Sequence, residues 1–202
     1  MLQQTYIELA RKYTDNVDHI AELWNEIETK HSEKTRYYHT LEHLRHLLEQ
    51  LTEIKAHIVD WDTILFTLFY HDVIYISSKS DNEEQSAELA AERMKQLAVP
   101  EAQIEKCIQQ IIATKSHEVS ENNDTNLFTD ADLSILGQPW EEYSRYAQNV
   151  RKEYSQYPKL IYKEGRKKVL RHFLEMERIF KSDWFFEKYE QQARENLERE
   201  LG

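Results

Sequence analysis

The chain has 202 residues, of which 40% are hydrophobic and 31% charged, enough for one domain with a real core and too apolar for a largely disordered chain. Its net charge of −11 disfavours a nucleic-acid polymer or an anionic membrane surface as a partner. A lone cysteine rules out an intramolecular disulfide. Together with the absence of a signal-peptide pattern or a membrane span, this predicts a cytoplasmic protein.

Apolar residues recur at helical spacing along most of the chain, and only three glycines and three prolines interrupt them. We therefore predict an all-α, single-domain helical bundle over residues 1–202. Asp62 or Thr63 is expected to cap the helix that ends at His71, and residues 73–80 and 118–126 are expected to be loops. About nine helices are expected: 2–30 (with a break allowed at 14–15), one bearing His43, 62–71, 81–99, 100–117, 130–137, 139–157, 158–181 and 183 onward.

Two histidine motifs lie in or beside apolar runs. His39 and His43 are four residues apart, which suits a metal ion if one helix includes both, although a chain with nine histidines supplies such a pair readily by chance. His71-Asp72 ends the run Ile64–Tyr70, which is apolar on every face and therefore interior. Burying an unpaired polar group costs about 2–7 kcal/mol, so this pair needs partners. The alternative is an ordinary helix end followed by a turn.

Two more carboxylates, Asp130 and Asp132, precede an apolar stretch. Asp130 can serve as a helix N-cap, whereas Asp132 lies further into the stretch, where a cation would explain its presence. Two imidazoles and two carboxylates form a mixed nitrogen and oxygen site. Such a site favours a divalent transition metal (Mn, Fe, Co, Ni or Zn) over calcium.

The ordered series of motifs is specific, although each motif alone is weak. It resembles the HD superfamily of metal-dependent phosphohydrolases, and is similar to a small bacterial-type branch of predicted HD phosphohydrolases over most of the chain. The motifs are Arg36-Tyr-Tyr-His39-x-x-x-His43, His71-Asp72-Val-Ile-Tyr75, Asn82-Glu83-Glu-Gln-Ser86-Ala87, Thr114-Lys-Ser-His117, Asp130-Ala-Asp132-Leu133 and Arg151-Lys-Glu153-Tyr154.

The resemblance implies an HD-type bundle that hydrolyses a small phosphate ester or nucleotide, by attack of a metal-activated water on phosphorus. Cyclic-nucleotide phosphodiesterases share the superfamily core and show similar elements around His43 and Asp132. By that similarity His39 is free to act as a proton donor, and the metal ligands are His43, His71, Asp72 and Asp132. The reverse assignment, with His39 as the ligand in place of His43, stays open. A single ion is favoured over two.

Other residues are implied to act on the substrate. The catalytic group comprises Asp72 with His39 or His117 as the acid that protonates the leaving oxygen. Arg36 and Lys115 are candidates for phosphate contact, although solvated surface charges explain them equally well. His117 also fits an ordinary helix end.

The Asn82-Glu83 motif is expected to orient the substrate or a metal-bound water, together with Ser86. An N-cap followed by acids in the first helical turn explains Asn82 and Glu83 as well. Polar packing between helices is expected for Arg151, Glu153, Tyr154 and Arg166.

Two other function classes fit the sequence. One is a regulatory protein that binds metal and nucleotide with little or no turnover, and the other is a structural protein whose polar groups pair with each other. A homo-oligomer is also considered, because some aromatic residues could form a surface for a partner subunit. These are Trp140, Tyr143, Tyr146, Trp184 and Phe185.

Overall fold

The computed structural model describes all 202 residues and contains ten α-helices and no strand. The all-α prediction is confirmed. None of the helices combines the length and the apolar character that a membrane crossing requires. The helices are α1 (Leu2–Ala10), α2 (Val17–His31), α3 (Leu41–Glu53), α4 (Trp61–Tyr70), α5 (Asn82–Gln96), α6 (Glu101–Ala113), α7 (Asn123–Leu133), α8 (Trp140–Glu153), α9 (Lys159–Glu175) and α10 (Asp183–Leu201).

Helix α4 is the centre of the fold. Every residue from Thr63 to Tyr70 is buried, as expected for a helix that is apolar on all faces. It packs against α1, α3, α5 and α6. All ten helices contribute side chains to one continuous cluster of buried hydrophobic residues. The end of α4, at His71, is buried within the molecule.

The starts of α3 and α4 determine which residues reach the site. Thr40 caps α3 with its side chain, so His39 lies just outside the helix that carries His43. The cap of α4 is Asp60, whose carboxylate accepts the N–H of Thr63 at 3.2 Å. The expected cap at Asp62 or Thr63 was therefore wrong, because the helix begins earlier than its apolar run.

Asp130 lies within α7 and does not cap it, which corrects the predicted helix start. Its fully buried carboxylate accepts the backbone N–H groups of Lys181 at 2.9 Å and Ser182 at 2.7 Å. The cap of α7 is Asn122, so the helix occupies part of the segment expected to be a loop. Asp130 instead holds the chain that enters α10.

Several helices end earlier than their apolar spacing suggested. Helix α6 stops at Ala113 rather than at His117, whose φ of 53° lies in the left-handed region. Helix α8 stops at Glu153, where the Arg151 guanidinium binds the backbone carbonyl of Tyr154 at 2.6 Å. Helix α9 also ends short of the predicted residue 181. Apolar spacing alone therefore placed these three helix ends four to six residues too late.

The aromatic residues considered for a partner surface pack against the core to different degrees. Tyr143 and Phe185 are fully buried, and Trp140, Tyr146 and Trp184 pack, partly buried, against the same core. Tyr143 and Phe185 are therefore unavailable to a partner subunit, whereas Trp140, Tyr146 and Trp184 each keep part of their surface accessible, and the homo-oligomer stays a prediction.

Candidate metal centre

Two imidazoles meet where α3 faces the end of α4. His43 lies in the first turn of α3, and His71 is the residue that follows α4. Both side chains are buried, and their Nε2 atoms are 3.1 Å apart. The Nδ1 of His71 lies 3.0 Å from the Leu68 carbonyl oxygen, to which only a protonated nitrogen can donate. The Nε2 of neutral His71 therefore directs a lone pair towards His43.

Two carboxylates complete the group. Asp132, near the end of α7, places Oδ1 3.3 Å from Nε2 of His43 and 3.8 Å from Nε2 of His71. Asp72 places Oδ2 3.0 Å from Nε2 of His71 and 3.6 Å from Nε2 of His43. The four side chains that the sequence suggested as ligands thus lie together. Among them, His43, His71 and Asp132 offer donor atoms within 4.8 Å of one another.

The electrostatics of this group favour a positive charge at its centre. Although burial opposes the charged form, hydrogen bonds to Asp132 and Asp72 raise the pKa of His43 to about 9. Burial also opposes charge on the two carboxylates, yet the neighbouring imidazoles lower the pKa of each. Without a metal ion, the cluster therefore retains a proton on its imidazoles at neutral pH. A divalent cation would replace that proton.

The donor set suits a metal ion. Nitrogen and carboxylate oxygen donors around one buried point are what divalent transition metals bind in proteins. An ion bound by both rings would also account for the close approach of the two Nε2 atoms, which are 3.1 Å apart. His43, His71 and Asp132, with Asp72 beside them, could therefore hold a metal ion.

His39 lies beside the cluster and contributes no atom to it. Its Nδ1 lies 2.8 Å from Oε2 of Glu153, and its ring stacks on Tyr75 at 3.9 Å between centroids. The centroids of His39 and His43 are 5.9 Å apart, and the His39 side chain lines the cavity described below. The geometry favours His43 over His39 as the ligand, because only His43 faces His71.

Glu153 organises the loop before α3, a role that the sequence did not suggest. Its Oε1 accepts the backbone N–H groups of Tyr37, Tyr38 and His39 at 2.7, 2.7 and 3.0 Å. Burial opposes ionisation, but the hydrogen bonds from His39 and the backbone lower the pKa of Glu153 to about 2. The motif Arg151-Lys-Glu153-Tyr154 marked Glu153 as a residue of interest. The sequence did not reveal its partner, His39, because the two residues are 114 positions apart.

Arg36 lies beneath the site and does not line the cavity. Its guanidinium donates to the backbone carbonyls of His39 at 3.2 Å, Asp72 at 2.6 Å and Val73 at 2.9 Å. The residue is only 6% exposed. This placement favours a structural role, in which Arg36 holds the segments of His39 and Asp72 together, over the expected contact with substrate.

The segment after α6 contributes His117 and Lys115. The Nε2 of His117 lies 3.2 Å from Oδ2 of Asp132, so this imidazole orients the carboxylate from the side away from His43. Lys115 is exposed at the cavity rim, where its ammonium donates to the Ser80 carbonyl at 2.7 Å and pairs with Glu84. Lys115 can therefore meet an anion only if it exchanges this pairing.

Asn82 and Ser86 stabilise the loop between α4 and α5. Asn82 accepts the N–H of Ile76 at 3.0 Å and donates to its carbonyl at 3.1 Å. Ser86 makes the same two contacts with Ile74 at 3.1 and 3.2 Å. Neither lines the cavity, whereas Glu83 does. The structure thus favours a loop-holding role for Asn82 and leaves Glu83 as a candidate for contact with substrate.

A cavity of about 760 Å³ opens onto the metal-binding group. Asp72 and Asp132 reach it together with His39 and His117. The rest of its wall comes mainly from α8, α9 and the connection between them. Cavities of about 300–1,000 Å³ are typical of small-molecule sites, so the volume suits a ligand of nucleotide size.

Comparison with known proteins does not assign the chain to a family. No family model, no curated protein and no solved structure matches it. Its function is therefore inferred from the site geometry and from the motif resemblance.

Proposed function

We propose that this protein is a metal-dependent phosphohydrolase of the HD superfamily that acts on a small phosphate ester or nucleotide. The observation that supports this most strongly is the convergence of two imidazoles and two carboxylates at a cavity of small-molecule size. A divalent ion bound there would neutralise charge on a phosphoryl oxygen and lower the pKa of a coordinated water.

His39 is the proposed proton donor. Its Nδ1 side is held by Glu153, and the side chain lines the cavity. During hydrolysis, a bond forms between the water oxygen and phosphorus while the bond from phosphorus to the leaving oxygen breaks. The leaving oxygen takes a proton from Nε2 of His39, and the water that attacks phosphorus loses one proton to solvent, from which His39 is reprotonated before the next turnover. The Glu153 carboxylate, which contacts Nδ1, orients the ring.

His117 is proposed to position Asp132 rather than to donate the proton. Its Nε2 faces Oδ2 of Asp132 at 3.2 Å, while Oδ1 of the same carboxylate faces His43 at 3.3 Å. Residues that orient a metal-binding carboxylate from behind tune metal affinity. We therefore expect His117→Ala to weaken metal binding by about 10- to 100-fold.

Metal content tests the site. Elemental analysis of the purified protein should show metal in the wild type and in His39→Ala, and loss of it in His71→Ala and Asp72→Ala. His57→Ala is the matched control, because His57 is an exposed histidine that belongs to none of the motifs and does not line the cavity. An equal and negligible metal content in the wild type and in Asp72→Ala would favour the alternative of a structural protein, whose polar groups pair only with each other.

Turnover tests the chemistry. The purified protein, supplied in turn with Mn, Fe, Co, Ni and Zn ions, should hydrolyse at least one member of a panel of nucleotides and phosphate esters. His39→Ala should keep its metal and lose about 10²- to 10⁴-fold in rate, the usual contribution of a general acid. Bound metal without turnover would instead favour the regulatory alternative. Loss of metal in His39→Ala, with retention in His43→Ala, would reverse the ligand assignment.

A further inference from the structure

Helix α9 is a basic helix in an acidic protein. Its 17 residues include six lysines and arginines but only two glutamates, whereas the whole chain has 26 basic and 37 acidic residues and a net charge of −11. That negative charge is itself enough to favour solubility, so a run of cations is not needed for it. The positive charge of α9 therefore needs another explanation.

Five of the six cations on α9 have no acidic partner. Arg166 pairs with Glu200, at 2.8 Å between Nε and Oε1, and so helps to hold α9 on α10. The other five form no ion pair and no side-chain hydrogen bond, and four of them are exposed. They are Lys159, Lys163, Lys167, Lys168 and Arg171. These charges therefore do not stabilise the fold by pairing.

The unpaired cations lie beside the cavity that opens onto the metal-binding group. Lys168 lines the cavity, as does His172 one helical turn later. Lys163, Lys167 and Arg171 do not line it, but each lies within about 8 Å of Lys168 along the helix axis, at about 1.5 Å per residue. The cavity is thus flanked by positive charge on the side that α9 forms.

The cavity needs such a charge if it is to attract an anion. Its acidic lining residues are Asp72, Asp132 and Glu83, and one divalent ion would offset only two of these three charges. Two further cations of the wall, Lys115 and Arg166, are already paired with glutamates. Clustered charge at a cleft raises the local concentration and the association rate of an oppositely charged ligand by about 10- to 10³-fold, without contact.

We propose that α9 is an electrostatic guide that attracts a phosphate-bearing anion from solvent into the cavity. Lys163, Lys167 and Arg171 act through their field and do not touch the ligand, whereas Lys168 extends this field into the cavity. The guide rests on the proposed hydrolase function for the identity of the ligand, and on the charge distribution for the attraction. It gives a role to residues that belong to none of the motifs.

Two triple variants with the same change in charge test the guide. The α9 variant combines Lys163→Gln, Lys167→Gln and Arg171→Gln. The control variant alters three exposed cations on other segments, which form no ion pair and do not line the cavity: Arg11→Gln, Lys34→Gln and Lys55→Gln. Calorimetry at about 10 and about 500 mM NaCl measures the binding of inorganic phosphate to each protein supplied with Mn²⁺, and the binding of Mn²⁺ alone.

Phosphate and Mn²⁺ have opposite charge, so the guide predicts opposite effects on their affinities. At the lower salt concentration, the α9 variant should bind phosphate about ten-fold more weakly than the wild type and Mn²⁺ about three-fold more tightly. The control variant should change each affinity by less than about two-fold, because its charges lie away from the cavity. At the higher salt concentration, where exposed charges are screened, all differences should fall below about two-fold.

Four results would overturn the guide. Weaker binding of both ligands by the α9 variant would indicate a distorted site, and equal effects of the two triple variants would indicate that only net charge matters. A phosphate effect that persists at the higher salt concentration would indicate direct contact instead of a field. Absence of phosphate binding to the wild type would leave no anion to attract.

The guide and the hydrolase proposal fail in different ways. If no ester is hydrolysed but the α9 variant shows the opposite shifts in phosphate and Mn²⁺ affinity, the hydrolase proposal is wrong and the guide stands. If esters are hydrolysed and the α9 variant binds phosphate as tightly as the wild type does, the guide is wrong and the hydrolase stands.

Discussion

Replacing Glu153 by glutamine should destabilise the protein through the loop that carries His39. The carboxylate accepts three backbone N–H groups and pairs with the His39 ring. These contacts lower its pKa from 4.5 to about 2 even though burial opposes ionisation. At about 1.4 kcal/mol for each pH unit, the ionised form contributes about 3 kcal/mol. Glutamine has the shape of the protonated acid, so Glu153→Gln should lose about this amount at pH 7.

The loss should depend on pH with a definite sign. Because the folded-state pKa of Glu153 lies below its unfolded value, the stabilisation is fully present above about pH 4.5 and is lost as the pH falls through 2. The difference between wild type and Glu153→Gln should therefore shrink to about 1 kcal/mol at pH 3. The variant should also be less sensitive to acid than the wild type over this range.

Urea unfolding followed by circular dichroism at pH 7, 4 and 3 measures these differences. Glu105→Gln is the control, because Glu105 is an exposed glutamate on α6, and it should stay within about 0.5 kcal/mol of the wild type. A Glu153→Gln difference that is the same at pH 7 and pH 3, or one below about 1 kcal/mol at pH 7, would refute the reasoning.

Three further predictions concern other parts of the molecule. Asp130→Ala should lower the free energy of unfolding by about 3–5 kcal/mol in urea, because it leaves the buried Lys181 ammonium and two backbone N–H groups without their carboxylate; a change below 1 kcal/mol would contradict this. Gly165→Ala should raise the free energy of unfolding by about 0.5–1 kcal/mol, measured by thermal unfolding, because Gly165 lies within α9 and a Cβ there would meet no atom within 4 Å. A lower free energy of unfolding would contradict this. Metal binding should release protons and strengthen as the pH rises towards about 9, the raised pKa of His43. Calorimetry in buffers of different ionisation enthalpy measures the number of protons released. Binding without proton release would contradict the prediction that the metal ion binds at His43.

The sequence revealed local features well. Apolar spacing and the scarcity of glycine and proline predicted the all-α class, and the uniformly apolar run before His71 predicted a central helix, because both depend on interactions within a few residues. A metal site was suggested because ionisable groups beside buried helices need partners, and the choice among the candidate ligands came from the motif resemblance. Helix ends were predicted less well, since α6 is followed by the left-handed backbone of His117 and α8 by a backbone carbonyl that binds Arg151, and apolar spacing reveals neither.

Contacts between distant segments were decided by the tertiary structure alone. Asp130 and Asp132 are two residues apart, yet one meets the start of α10 and the other meets His43, because residues two apart on a helix point in nearly opposite directions. Similarly, Glu153 and His39 are 114 residues apart and share a hydrogen bond. The sequence by itself determined that the chain is all-α and which ionisable groups need a partner. Which partner each one finds depended on how the helices pack, since packing sets distances that no local pattern records.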